Sequence, residues 1–258
     1  MKKITSRENP RFKELRDIAE SGGKQKHGGL TLIDGPHLVE AYRQTLGIPK
    51  TLVFSEPGLE RIDIQNLVGT NGEIETLMLT ESLFRELSGT VTPVGVLAVI
   101  AIPPAPTGSV PGSCIVLDGI QDSGNVGTIL RTAAAAGIAD AILGPGCASP
   151  WSPKVLRAGQ GAHFRLRIRQ HKSLHTFIRQ YQGKSLATVV HGGTSIFSTQ
   201  LHGHLAWIFG SEGQGVSAEL MTAATERVMI PMQAGSESLN VTAAAAVCLF
   251  ESVRQNSV

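Results

Sequence analysis

Hydrophobic and polar positions along this chain follow two periods in turn. Leu30–Ile33, Thr51–Phe54, Ile74–Leu79 and Gly95–Ala101 are short apolar or alternating runs, the pattern of strands. Pro36–Thr45 and Glu81–Leu87 fall between them with helical spacing. Ahead of these, Phe12, Leu15, Ile18 and Ala19 mark the buried face of a helix within Ile4–Ser21. Asn9 is placed to cap that helix, and Pro10 suits its first position.

The run Ile102–Ser113 reads IPPAPTGSVPGS. Its four prolines and lack of periodicity predict a linker. Residues 1–102 then form one α/β domain, 103–113 the linker, and 114–258 a second domain. The second domain alternates again. Strands are predicted at Cys114–Leu117, Ala139–Leu143, Phe164–Ile168, Leu186–Val190, Leu205–Phe209 and Val228–Ile230. Helices are predicted at Val126–Ala136, Ser152–Ala158, Leu174–Tyr181, Ala218–Ala224 and Val241–Arg254. Such alternation implies a mostly parallel sheet covered on both faces.

Composition narrows the function classes. Apolar residues make up 41% of the 258, ample for a core, and the net charge is only +2. The basic residues are unevenly placed. Lys2, Lys3, Arg7, Arg11, Lys13, Arg16, Lys24 and Lys26 crowd the N-terminus; Lys154, Arg157, Arg165, Arg167, Arg169 and Lys172 form a second group. The three cysteines are far apart and show no metal spacing, which suits a reduced, cytoplasmic protein. The longest apolar runs, Val94–Pro104 and Val241–Phe250, are too short to span a bilayer.

Several chemistries lack their motifs. The tract Gly144–Ser149 lacks the third glycine of a dinucleotide fingerprint, Ile178 stands where a phosphate loop ending in Gly183-Lys184-Ser185 needs glycine, and no GxSxG elbow occurs. His202 and His204 have no acidic or cysteine partner at metal spacing, so no metal is expected. His191, beside Gly192-Gly193, reads as a surface turn that could also line a site.

Three tracts, each following a predicted strand, remain. The first, Asp118–Arg131, is a polar glycine-bearing turn opening a helix. Polar side chains at the carboxyl end of a strand sit where open α/β sheets bind ligands. Asn125 is either the N-cap of that helix or a side chain turned to a ligand. Arg131 lies between apolar Ile129-Leu130 and small residues, so it is expected to be partly buried against an anion or carboxylate. The second, Trp207–Ser217, is an apolar strand running into a turn with three glycines and one charge, Glu212. The third, Ile230–Ala244, stops at Pro231 and restarts in an alanine-rich helix that Ser238 or Asn240 could cap.

Together the tracts resemble the SpoU (TrmH-like) family of RNA 2'-O-ribose methyltransferases. The matching motifs are Asn125-x-Gly127-x-x-x-Arg131, Phe209-Gly210-Ser211-Glu212-Gly213-x-Gly215, and Ile230-Pro231-Met232 with Ser238-Leu239-Asn240-Val241. Ser152–Ala158 and Gly161–Arg165 are similar too, as are Ile4–Pro10 and Leu32–Ala41 in the first half. Asp34 departs from the glutamate of that pattern, and Asp122-Ser123 from an Asp/Asn-Pro pair. The resemblance implies a small α/β substrate-binding domain before a trefoil-knotted SPOUT methyltransferase domain. It implies S-adenosylmethionine contacted at Thr188, Gly210, Ile230 and Leu239, and a catalytic set of Arg131, Asn125, Glu212, Ser238 and Asn240. It implies Lys154, Arg157 and Arg165 against RNA phosphates, a homodimer, and ribosomal RNA as substrate. A transfer RNA enzyme and a non-catalytic RNA-binding homologue are the alternatives.

Overall fold

The structure, a computed structural model, describes residues 1–20, 29–68 and 74–256. Ser21, Lys24 and Lys26, singled out above, lie outside the described residues. The chain divides into two compact units: Met1–Pro104 with Trp151–Phe164, and Ala105–Pro150 with Arg165–Val258.

The first unit begins with β1 (Lys2–Ile4), α1 (Pro10–Glu20), β2 (Leu30–Asp34), α2 (Pro36–Thr45) and β3 (Thr51–Ser55). It continues through α3 (Ile62–Val68), β4 (Glu75–Leu79), α4 (Glu81–Ser88) and β5 (Val96–Ala101). The sheet order is β1-β4-β3-β5-β2, with β5 antiparallel to β2 and β3. Asn9 caps α1 as expected, its Oδ1 accepting from the Arg11 N–H at 2.9 Å. Phe12, Leu15 and Ile18 of α1 are buried against the sheet with Leu77, Leu79 and Phe84. Periodicity missed β1 and α3, which are too short to show a period. Much of the N-terminal basic group is already paired: Arg7 with Glu86, Arg11 with Glu14 and Glu75, Lys13 with Glu8.

The second unit contains β6 (Cys114–Asp118), α5 (Ser123–Ala135) and β7 (Asp140–Leu143). The chain then forms α6 (Pro153–Gly159), which belongs to the first unit, before returning with β8 (Arg167–Gln170), α7 (Leu174–Gln180) and β9 (Lys184–Thr188). β10 (Thr194–Ser195), β11 (Leu205–Gly210), α8 (Ala218–Ala223), β12 (Glu226–Met229) and α9 (Val241–Asn256) complete it. All seven strands run parallel in the order β10-β12-β9-β11-β6-β7-β8. β6, β7 and β11 are buried almost throughout, as a sheet covered on both faces requires.

The grouping of Trp151–Phe164 with the first unit differs from a single break at the linker. Chemistry within that unit explains it. The Thr31 hydroxyl donates to the Trp151 carbonyl at 2.7 Å, and the Arg157 guanidinium donates to the Ser88 carbonyl at 2.9 Å. Arg157 also lies 3.4 Å from the Asp34 carboxylate, which accepts from the Ser88 hydroxyl at 2.8 Å. The boundary falls inside the proline-rich run, between Pro104 and Ala105. Arg169 fastens the later part of that run to the second unit by donating to the Pro106 and Gly108 carbonyls, both at 3.0 Å.

Candidate active site

In a parallel sheet all carboxyl ends fall on one edge, and ligands bind there. At that edge of the second unit the segments after β9, β11 and β12 enclose a cavity of about 470 Å³. Its wall contains Thr188, Gly210, Ser211, Glu212, Ile230, Ser238 and Leu239. Gly210 ends the fully buried β11. A Cβ at Gly210 would stand 2.0 Å from the Gly215 carbonyl carbon and the Val216 nitrogen, so no larger residue fits. The returning turn is fixed by a reciprocal pair: the Gly215 N–H donates to the Ser211 carbonyl at 2.9 Å, and the Ser211 N–H to the Gly215 carbonyl at 3.1 Å. Gly215 reaches this geometry at φ 68°, which side-chain-bearing residues resist.

The alternative left open for Asn125 is resolved. Asp122 is the N-cap of α5, its Oδ1 accepting from the Asn125 N–H at 2.8 Å. The Asn125 side chain is thereby free to donate from Nδ2 to Glu212 Oε1, also at 2.8 Å. This bond joins the first and second tracts across 87 residues of sequence. Partial burial raises the Glu212 pKa, but the Asn125 amide and the backbone N–H groups of Glu212, Gln121 and Asp122 outweigh it and hold the carboxyl below its ordinary value. Such a carboxylate is a weak proton acceptor at neutral pH. Its geometry suits positioning: it pins the glycine turn to the start of α5.

Arg131 departs from expectation. It is exposed on α5, with no hydrogen bond or ion pair among the described residues. The neighbouring Ile129 and Leu130 are buried instead, because the helix turns about 100° per residue and carries Arg131 off their face. Its guanidinium is therefore available for an anion from outside the chain. Asn240 caps α9, accepting at Oδ1 from the Thr242 N–H at 2.8 Å and the Thr242 hydroxyl at 2.6 Å. Ser238 and Leu239 precede it on the exposed loop that closes the cavity. The Thr188 hydroxyl donates to the Ile208 carbonyl at 2.8 Å. Asn125, Arg131 and Asn240 are not part of the cavity wall, while the six other residues predicted for catalysis or cofactor binding are.

Residues 112–250 match the model of the SpoU rRNA methylase family. The chain belongs to this family. It is similar to the 23S rRNA (guanosine(2553)-2'-O)-methyltransferase RlmP of Bacillus subtilis, 29% identical across 97% of this chain and 98% of that protein. Its fold matches the crystal structure of an RNA 2'-O ribose methyltransferase with a TM-score of 0.84 and 29% identity, covering 99% and 100% of the two chains. It also matches the AdoMet-bound rRNA methyltransferase from Sinorhizobium meliloti with a TM-score of 0.81 and 25% identity, covering 98% and 97%.

In this SpoU family chain, Lys154 and Arg165 are exposed and make no hydrogen bond or ion pair among the described residues. Arg157 differs from the expectation that it faces RNA: Ser88 and Asp34 take up its guanidinium. Arg167 and Arg169 are likewise drawn to the buried Asp140 carboxylate, at 2.5 and 3.5 Å. The cavity wall also includes His191, read above as a turn that could line a site, and Gln214 and Cys248, which sequence reasoning did not assign to it. The signal for His191 was its place at a strand end before two glycines. Burial pushes the Cys248 thiol up to about 12, so it is a neutral wall group rather than a nucleophile. Among the described residues no group of three or more His, Cys, Asp or Glu could hold a metal, and no helix is long and apolar enough to cross a membrane.

Proposed function

We propose that this chain transfers a methyl group from S-adenosylmethionine to a ribose 2'-hydroxyl of ribosomal RNA, with the cofactor in the cavity beside Gly210. The observation that carries the reading is the turn at Gly210–Gly215. It folds the chain back on itself without side chains at Gly210, Gly213 and Gly215, in the wall of a cavity whose 470 Å³ lies within the usual range for small-molecule sites. Gly210, Ile230, Leu239 and Thr188 would hold the cofactor. When bound, S-adenosylmethionine supplies a methyl group on a positively charged sulfur, open to attack by oxygen.

This chain's residues then align the acceptor oxygen and ease its proton loss. Arginine, with a pKa above about 12, is a poor base. Arg131 acts by stabilising negative charge that develops on the ribose oxygen or stands on a neighbouring phosphate. Asn125 and Glu212 hold the glycine turn in register, and Ser238 and Asn240 position the ribose. Lys154 and Arg165 meet the phosphate backbone, and residues 1–102 form the substrate-binding domain.

The protein works as a homodimer in the cytoplasm. Dimerisation is supported by α9, where Ala243, Ala246, Phe250 and Val253 share one open or half-open face at helical spacing. The cytoplasmic assignment is supported by three unpaired cysteines. The trefoil knot implied by the resemblance is supported by β9 lying between β11 and β12 in the sheet; a knot is a rare exception to ordinary chain topology.

The test is to incubate the protein with methyl-labelled S-adenosylmethionine and, separately, unmodified ribosomal and transfer RNA, then digest the RNA. Label in a 2'-O-methylnucleoside from ribosomal RNA is the expected result. Label on a base would overturn the chemistry, and label confined to transfer RNA would overturn the substrate.

A further inference from the structure

Among the side chains that form the cavity wall, only Glu212, His191 and Cys248 can ionise, and no lysine or arginine joins them. Cys248 stays neutral and Glu212 stays anionic, for the reasons given above. His191 is then the one wall side chain able to carry positive charge, and its ring has no hydrogen-bond or ionic partner among the described residues.

Its position is built rather than incidental. The Val189 N–H donates to the Val228 carbonyl at 2.9 Å, and five residues later Thr194 pairs with the same Val228. The chain between these two attachments is a short excursion that carries His191. Gly193 seats it closely: a Cβ there would stand 2.9 Å from Val189 Cγ2 and 3.0 Å from the Arg227 carbonyl oxygen. His191 is exposed, yet the backbone that presents it is clamped to β12 on both sides.

S-adenosylmethionine carries two cationic groups, the sulfonium and the ammonium, and one anion, its carboxylate. Opposite charges favour one another across a partly desolvated wall. Glu212 suits the cationic groups, and His191 is the only wall side chain that can meet the anion as a cationic donor. We propose that His191 recognises the carboxylate of the cofactor's amino-acid end and so selects the intact cofactor over analogues that lack this group. The assignment rests on the cavity's being the cofactor site.

The test is calorimetric titration of the full chain, without RNA, using S-adenosylmethionine and decarboxylated S-adenosylmethionine, which differ in the carboxylate. The wild-type protein should bind the first more tightly. His191→Ala should weaken S-adenosylmethionine about 10- to 150-fold, the range of a hydrogen bond to a charged group, and change the decarboxylated ligand less than about twofold on the same scale. His191→Gln, which keeps a donor, should recover part of the loss. Equal weakening of both ligands would mean that His191 only shapes the wall, and unchanged affinity for both would mean that it makes no contact; either result overturns the proposal. If the wild-type chain binds neither ligand, the cofactor site itself is misplaced and the assignment falls with it. His191 has no partner to lose among the described residues, so the variants should keep the wild-type melting temperature, which the same samples report.

Discussion

The same substitution at two positions of one turn should have opposite outcomes. Gly210→Ala places a methyl group 2.0 Å from the Gly215 carbonyl carbon and the Val216 nitrogen, whereas Gly213→Ala meets nothing within 4 Å. To recover an ordinary contact near 3.4 Å, the segment Gly215–Val216 must retreat by about 1.4 Å. A movement of that size carries the reciprocal Ser211–Gly215 hydrogen bonds, now 2.9 and 3.1 Å, toward about 4 Å, beyond useful range. Two net hydrogen bonds at about 1 kcal/mol each, with about 1–3 kcal/mol of overpacking, give a cost of roughly 3–5 kcal/mol. At about 2–4 °C per kcal/mol for a chain of this size, the melting temperature should fall by roughly 6–20 °C. Because the displaced segment is cavity wall, affinity for S-adenosylhomocysteine should fall by at least about tenfold. Gly213→Ala should leave the melting temperature unchanged. Thermal denaturation and calorimetric titration of both variants provide the check. A Gly210→Ala protein that melts and binds like wild type would refute the reasoning, because the strand end would then be free to move and the close approach would not shape the cavity.

Three further outcomes follow from other parts of the site. Arg131→Ala should lower turnover about 10²- to 10³-fold, the scale of losing one charge-stabilising donor, while leaving cofactor affinity and melting temperature unchanged because the side chain has no partner among the described residues; steady-state kinetics beside titration separate the two. Asn125→Ala and Glu212→Ala should each weaken cofactor binding, but the double variant should be no weaker than the worse single one, since both remove one 2.8 Å bond; additive losses in the double-mutant cycle would show that the pair does not act as a unit. Glu251 accepts from Arg254 and Gln255, which hold its carboxyl down to about 2 from an ordinary 4.5. Its contribution to stability is therefore present above pH 4.5 and is lost as pH falls from 4.5 toward about 2, so Glu251→Gln should flatten that part of the acid-denaturation curve.

How much of this was legible beforehand depended on the range of the interaction. Buried strands and helix faces were readable because burial imposes a period on local sequence, and Asn9 was readable as a cap because its partner lies two residues away. β1 was not readable, since three residues carry no period and its place is set by pairing with β4, more than seventy residues on. The role of Asn125 was undecidable locally: Asn125 and Asp122 are both good capping residues, and only Glu212, 87 residues away, decides between them. Arg131 was misread for a related reason. Apolar neighbours in sequence suggested burial, but in a helix adjacent residues point in different directions. Arg157 was read as a free cation because Asp34 and Ser88, which neutralise and hold it, lie far off in the chain.

The distribution of these residues also limits what a local change can do. The cavity wall is assembled from segments after three parallel strands, and its closest approach is between backbone atoms at Gly210 and Gly215. Backbone groups cannot be removed by substitution, so most single changes in the wall should alter shape rather than delete a donor. The side chains that carry charge are set apart from one another: Glu212 is tied to α5, His191 to β12, and Arg131 stands exposed on α5. A site built this way divides its labour. Backbone geometry fixes where the small ligand sits, and a few separately anchored side chains decide its charge pattern and the chemistry done on it. Substitutions at Gly210 should therefore abolish binding of every adenosine-containing ligand alike, whereas substitutions at His191 should discriminate among them.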